Sequence, residues 1–304
     1  MDFPRILVLG ATGRLGAMLR RRWPAGQGLW QARPDAQTGQ SAPQSTPRVA
    51  DQGADWLRLD PLSDSAALAA AAERAAAILC LAGVTPAAAA RGADLGDNAA
   101  LGLAAVRAGA KGNSGAGAPV LLASSAAVYG AQGGLLSEAA RLAPVNDYGR
   151  AKAEMEIRAA ALGAELGVPV TSLRIGNVAG ADAILGGWRP GFTLDRFADG
   201  RTPRRSYIGP ASLADVLAAL AGRAARRGDL PGCLNIAAPG TVEMGALLDA
   251  AGLVWTPRPA PAGAIPEVAL DVAALGRLVA LDPAAGTAEK LVAEWRALAQ
   301  KPAP

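Results

Sequence analysis

The chain of 304 residues contains no histidine. Imidazole acid/base chemistry and histidine metal ligation are therefore excluded, and any proton transfer must fall to tyrosine, lysine, serine, cysteine or a carboxylate. Cysteine is almost as scarce. Cys80 sits inside the apolar run Ala77 to Ala82, while Cys233 lies far away beside Gly232. Two cysteines without ligand spacing argue against zinc and for a reducing compartment, and Cys80 reads as a packing residue. Aromatic residues make up 4% of a chain that is 51% hydrophobic, so the core must rest on alanine, leucine and valine. No uninterrupted apolar stretch approaches the roughly 20 residues of a bilayer span, and no segment reads as a signal peptide. The expectation is a soluble, cytoplasmic protein with no membrane partner. Dense basic runs are missing as well. The formal charge is only +4, and Arg20-Arg21-Arg22 reads as a helix end near phosphate or solvent, so no nucleic-acid partner is expected.

What is present is an alternation of short apolar runs with alanine-rich helical stretches. Strands are predicted near residues 5 to 9, 28 to 32, 56 to 59, 77 to 82, 119 to 123, 170 to 175 and 233 to 237. Helices are predicted near 14 to 22, 64 to 74, 97 to 108, 148 to 166, 212 to 227, 241 to 251 and 288 to 299. That order predicts an α/β fold with a doubly wound, mostly parallel sheet. Residues 34 to 53 and 111 to 118 read as loops, and the proline cluster Pro257 to Pro266 reads as a link to a carboxyl-terminal helical piece.

Between the first strand and the first helix runs Gly10-Ala11-Thr12-Gly13-Arg14-Leu15-Gly16. A glycine-rich strand-to-helix turn lets backbone amides approach a pyrophosphate at the positive end of the helix dipole. The spacing is Gly-x-x-Gly-x-x-Gly, wider than the tighter Gly-x-Gly-x-x-Gly. About 130 residues later come Tyr148-Gly149-Arg150-Ala151-Lys152. Tyr148 and Lys152 are four residues apart and share a helix face, so the ammonium can lower the phenol pKa. Such a phenol can give or take a proton while hydride moves between a substrate carbon and a nicotinamide. Ser125 ends the strand near 119 to 123, where its hydroxyl can hold a substrate oxygen beside the phenol. Tyr129 has no lysine four residues on and reads as packing or pocket wall.

These pieces, with Leu59-Asp60, Leu81-Ala82-Gly83, Asn98, Ser124 to Gly130, Leu173 to Val178, Arg205 to Ile208 and Leu234 to Ile236, resemble the extended short-chain dehydrogenase/reductase group, the NAD(P)-dependent epimerase/dehydratase family. The resemblance covers most of the chain. It implies a Rossmann-type dinucleotide-binding domain over residues 1–176, with 212–240 returning to it, and a small substrate lobe from 177–211 and 241–304. It assigns Ser125, Tyr148 and Lys152 as catalytic. It assigns Gly10, Thr12, Gly13, Arg14, Leu15, Gly16, Arg33, Asp60, Leu81, Ala82, Gly83 and Lys152 to the cofactor. It selects Ser125 over Ser124 because the family's serine stands immediately before the two residues that precede Val-Tyr-Gly. Arg33 stands near the position of the family's acidic, ribose-binding residue and favours NADP(H) over NAD(H); Asp35, in the next loop, is the residue that would favour NAD(H). Asp60 reads as an adenine contact or as a cap for the following helix.

For the substrate, the resemblance assigns Asn177 and Arg205 as contacts of a sugar-nucleotide diphosphate. The chain departs from the pattern there. Only about 27 residues separate the two, and Gly209-Pro210-Ala211 replaces the usual histidine and aspartate. Trp188 reads either as an aromatic wall or as a loop residue packed inward, and Arg201, Arg204 and Arg205 suggest an anionic small-molecule substrate. Retained cofactor would give epimerisation or dehydration; released cofactor would give a carbonyl reductase. A non-catalytic redox sensor is a further reading, although it has no need of tyrosine, lysine and serine together. Family members often pair the helices at 97 to 108 and 148 to 166 into a homodimer; the same alanine-rich faces could cover the sheet of a monomer.

Overall fold

The computed structural model describes residues 4–23, 26–34, 55–115 and 117–300. Its centre is a seven-stranded sheet made of β1 (Ile6–Leu9), β2 (Gly28–Ala32), β3 (Trp56–Arg58), β4 (Ala77–Cys80), β5 (Val120–Ser125), β6 (Val170–Ile175) and β7 (Cys233–Ile236). The strands lie in the order β3-β2-β1-β4-β5-β6-β7, and every neighbouring pair is parallel. Parallel pairing requires long crossovers, which are supplied by α1 (Arg14–Arg20), α2 (Ser65–Glu73), α3 (Asp97–Lys111), α4 (Asp147–Leu166) and α5 (Pro210–Ala225). The doubly wound sheet expected from the sequence is thus the one observed.

Helices cover both faces, which explains why the strands read as continuous apolar runs rather than alternating ones. In β1, Ile6 and Val8 join the layer containing α1 and α5, while Leu7 and Leu9 join the layer containing α2, α3 and α4. Cys80 is buried in the second layer, as its apolar context suggested.

The smaller elements lie beyond the carboxyl ends of the strands. A four-stranded sheet joins Val242–Glu243, Arg204–Arg205, Glu267–Leu270 and Gly134–Leu136, and Thr193–Arg196 pairs with Thr256–Pro259. The proline cluster therefore includes a strand as well as a linker. The helix Ala288–Gln300 packs Leu291 and Val292 against Leu247 and Tyr207. From the same helix Glu294 accepts hydrogen bonds from the Ala211 and Ser212 amides, both at 2.9 Å, and so caps α5 through a side chain distant in sequence. Among the described residues no helix is long and apolar enough to cross a membrane.

Candidate active site

The strand order reverses between β1 and β4, so the loops that follow these two strands diverge and leave a crevice at their carboxyl ends. The glycine turn forms one wall. Gly10 has φ of +79°, and a Cβ there would stand 2.6 Å from the Ala82 amide nitrogen, so only glycine lets the turns after β1 and β4 approach so closely. Gly13 starts α1 without a side-chain cap; Thr12, Gly13 and Arg14 are exposed, Leu15 packs on the core, and Gly16 is buried against Ala11. The backbone at the mouth of the crevice thus stays uncovered by side chains, which suits a dinucleotide. Arg14 donates to the Ala181 carbonyl at 3.5 Å.

Beneath this turn Gln31, 2% exposed in an apolar strand, accepts from the Gly10 amide and donates to the Leu59 carbonyl, both at 2.8 Å. Sequence reasoning missed it, although a lone amide inside a strand was the available signal. At the end of β2, Arg33 lies 3.9 Å from Asp60, with three-fifths of its side chain exposed. Asp60 accepts from the Leu62 amide two residues on, while Asp64 accepts from the Asp60 amide. Asp60 therefore organises its own turn and does not cap α2. Asp35 lies outside the described residues.

The opposite wall holds the polar chemistry. Strand side chains alternate between faces, so β5 delivers its two terminal serines in opposite directions. Ser125 accepts from the Ala127 amide and lies beside the Tyr148 hydroxyl; Ser124 turns into the protein and donates to Glu156. Tyr148 reaches Ser125 because α4 starts very close to the turn after β5. Asn146 caps the helix through the Gly149 amide at 2.8 Å, and a Cβ on Gly149 would lie 2.5 Å from the Ala127 carbonyl oxygen. Burial raises the Tyr148 pKa, and the Ser125 hydrogen bond partly offsets it. The lysine expected to lower the phenol pKa is directed elsewhere: Lys152, 4% exposed, donates to the Ala123 carbonyl at 2.8 Å. Burial lowers its pKa to about 8, opposed by Cys80 and Glu156.

Leu81 and Ala82 are half-buried and Gly83 is exposed after β4. A Cβ on Gly83 would approach Asn98 Oδ1 to 2.6 Å and Lys152 Nζ to 3.1 Å, so the glycine leaves room beside the amine. Asn98 is completely buried and fixes this loop by accepting from the Val84 amide and donating to the Val84 and Leu95 carbonyls. The structure thus brings Ser125, Tyr148, Lys152, Gly83 and Asn98 together.

The substrate residues read from the sequence are more dispersed. Asn177 Nδ2 donates to the Ser206 carbonyl at 3.3 Å. Arg205 is half-buried and donates to the carbonyls of Arg204, Ile265 and Pro266. Trp188 donates to the Val254 carbonyl at 3.0 Å and packs with Phe192 and Met244 around Leu194 and Leu248, the inward arrangement of its two readings. Tyr129 is also more than packing: its buried hydroxyl donates to Asn235 and accepts from Arg174. Among the described residues no group of acidic and cysteine side chains is arranged to hold a metal ion.

Comparison with known proteins agrees with this geometry. A model of the NAD dependent epimerase/dehydratase family matches residues 6–190. Similar solved structures include a UDP-N-acetylglucosamine 4-epimerase from Methanobrevibacter ruminantium in complex with UDP-N-acetylmuramic acid, at 18% identity and TM-score 0.72, covering 98% of this chain and 99% of that one. A UDP-glucose 4-epimerase from Brucella ovis in complex with NAD shows 20% identity and TM-score 0.72, with 96% and 97% covered. A dTDP-glucose 4,6-dehydratase from Streptomyces venezuelae with NAD bound shows 20% identity and TM-score 0.69, with 96% of each chain covered. At these identities the likeness speaks to the fold. No curated protein matched the sequence.

Proposed function

The chain belongs to the NAD-dependent epimerase/dehydratase family of enzymes, and on that premise we propose that it exchanges hydride at a carbonyl or carbinol carbon of a small, sugar-like or anionic substrate. The observation that carries this reading is the meeting of Ser125 and the Tyr148 hydroxyl at the carboxyl end of β5, with the Lys152 amine in the same crevice. Ser125 orients the substrate oxygen, Tyr148 gives or takes its proton, and Lys152 holds the nicotinamide ribose. The bound nicotinamide supplies the hydride acceptor and donor. Gly10, Thr12, Gly13, Arg14, Leu15 and Gly16 line the pyrophosphate; Asp60, Leu81, Ala82 and Gly83 line the rest of the crevice. The exposed guanidiniums of Arg33 and Arg14 favour NADP(H) over NAD(H).

A cofactor that takes its hydride back within one cycle gives epimerisation or dehydration. A carbonyl reductase is the second reading, favoured by Arg33 and by the short segment between Asn177 and Arg205.

We also place the enzyme in the cytoplasm as a homodimer paired through α3 and α4. Ile157, on α4 and 63% exposed, supports this interface. Light scattering on the purified chain tests it, and a monomer would remove it.

The deciding experiment is titration with NADPH and NADH, followed by nicotinamide fluorescence and by assay for co-purifying cofactor. Tight, retained cofactor supports epimerisation or dehydration, and exchangeable NADPH supports reduction. Binding of neither would overturn the catalytic reading.

A further inference from the structure

Below the crevice lies an ion pair that has no direct place in the proposed chemistry. Glu156 and Arg174 each keep 7% of their side chains exposed, and the guanidinium grips the carboxylate through Nη2 at 2.8 Å and Nε at 3.1 and 3.2 Å. A pair so deeply buried gives up its hydration, and well-packed apolar side chains often serve stability as well. Its position offers a reason for its presence. Ser124, the neighbour of Ser125, donates to the same carboxylate, and Ser124 faces Arg174 in the β5–β6 register. Arg174 also donates to the Tyr129 hydroxyl at 3.0 Å and the Glu138 carbonyl at 2.9 Å, and Tyr129 donates to Asn235 at 2.7 Å. One connected set of bonds thus spans β5, β6, β7 and α4.

Glu156 stands one helical turn beyond Lys152, four residues along the same helix, on the face that meets the sheet. The groups around the Lys152 amine are few. Cys80 approaches from β4, Asn98 from α3 and the Ala123 carbonyl from β5; Glu156 comes from its own helix. Of these, Glu156 is the carboxylate. Cys80 is held as a neutral thiol, because burial pushes its pKa up to about 11.

We propose that Glu156, clamped by Arg174 and Ser124, is a positioning residue for Lys152: its fixed negative charge keeps the buried amine protonated, and its bonds set α4 against the end of β5. The proposal rests on the reading of Lys152 as the residue that receives the cofactor. The physical need is evident in the site itself. A buried amine loses its proton readily, and here the opposing carboxylate acts within a low-dielectric interior.

The test measures NADPH affinity against pH by nicotinamide fluorescence, a readout that needs no substrate. In the unaltered protein, affinity falls at alkaline pH as Lys152 loses its proton, and Lys152→Met lacks this limb. Glu156→Gln moves the limb to lower pH by about one unit, the low end of what a nearby opposite charge does. Because that variant leaves Arg174 uncompensated and can fail to fold, Glu156→Gln/Arg174→Met removes both charges and is expected to show the same direction of shift. Glu156→Asp retains the charge and is expected to keep the limb near its original pH. A folded double variant with an unmoved limb overturns the proposal alone. A limb that survives in Lys152→Met overturns the reading of Lys152, and the proposal with it.

Discussion

Lys152 donates its amine to the carbonyl of Ala123, two residues before Ser125, across a distance of 2.8 Å. The lysine is thereby tied to the strand that presents the serine, and not to the tyrosine one turn earlier on its own helix. In this arrangement Tyr148 answers first to burial and to Ser125.

Removing the phenol hydroxyl by Tyr148→Phe should lower kcat by about 100- to 10,000-fold while leaving NADPH affinity within about twofold, since general acid/base groups contribute on that scale. Steady-state kinetics combined with the fluorescence titration checks both halves. Retained turnover would remove Tyr148 as the acid/base.

Ser125→Ala is expected to act on the same step and to raise the Tyr148 pKa further, because the hydrogen bond that offsets burial is lost. The alkaline rise in the rate of carbinol oxidation, which needs the phenolate, should move to higher pH. An unmoved profile would show that the serine does not tune the phenol.

Stability should carry the signature of the buried amine. Lys152 titrates at about 8 when folded and near 10.5 when unfolded, so between these values the unfolded chain binds more protons and stability rises with pH. Cys80 opposes this above about 9, because its folded pKa of about 11 lies above its unfolded value. Thermal melts of the cofactor-free protein between pH 7.5 and 10 should therefore show a steeper gain for Cys80→Ala than for the unaltered chain, and no such gain once Lys152→Met is added.

Gly10→Ala should cost about 1–3 kcal/mol of stability, since the residue sits at φ of +79° and the new methyl meets the Ala82 backbone. NADPH binding should be lost with it. Denaturant unfolding and titration measure the two effects separately.

Arg33→Ala should reduce the preference for NADPH over NADH by about tenfold, roughly 1.4 kcal/mol, read as the ratio of the two Kd values. An unchanged ratio would mean that Arg33 stays with Asp60 and does not meet the 2′-phosphate.

The sequence was most informative where signals were local. Each strand of the main sheet was an apolar run, and the crossover helices were marked by alanine-rich periodicity, so the observed elements begin and end within a few residues of those expected. The turn from Gly10 to Gly16 and the spacing from Tyr148 to Lys152 were legible for the same reason. The lobe was not. Arg204–Arg205, Tyr207–Ile208 and Asn177–Val178 are two-residue strands fixed by distant partners, and no such short segment has a period to read. Distance in sequence also hid the pair Glu156–Arg174, 18 residues apart, and the two hydrogen bonds that join Gln31 to Gly10 and Leu59. Trp188 and Arg205 show the converse: residue types suited to ligands were placed, on folding, against the backbone at Val254 and Ile265.

The small side chains between helices and sheet have a thermodynamic consequence. Buried alanines such as Ala71, Ala72, Ala105, Ala159, Ala214 and Ala221 surrender no rotamer entropy on folding, so close packing here is reached at little conformational cost. They also expose less apolar surface per residue when the chain unfolds, which lowers the heat-capacity increment and flattens the dependence of stability on temperature. A core of this kind keeps its margin over a broad thermal range and changes little between cold and warm conditions.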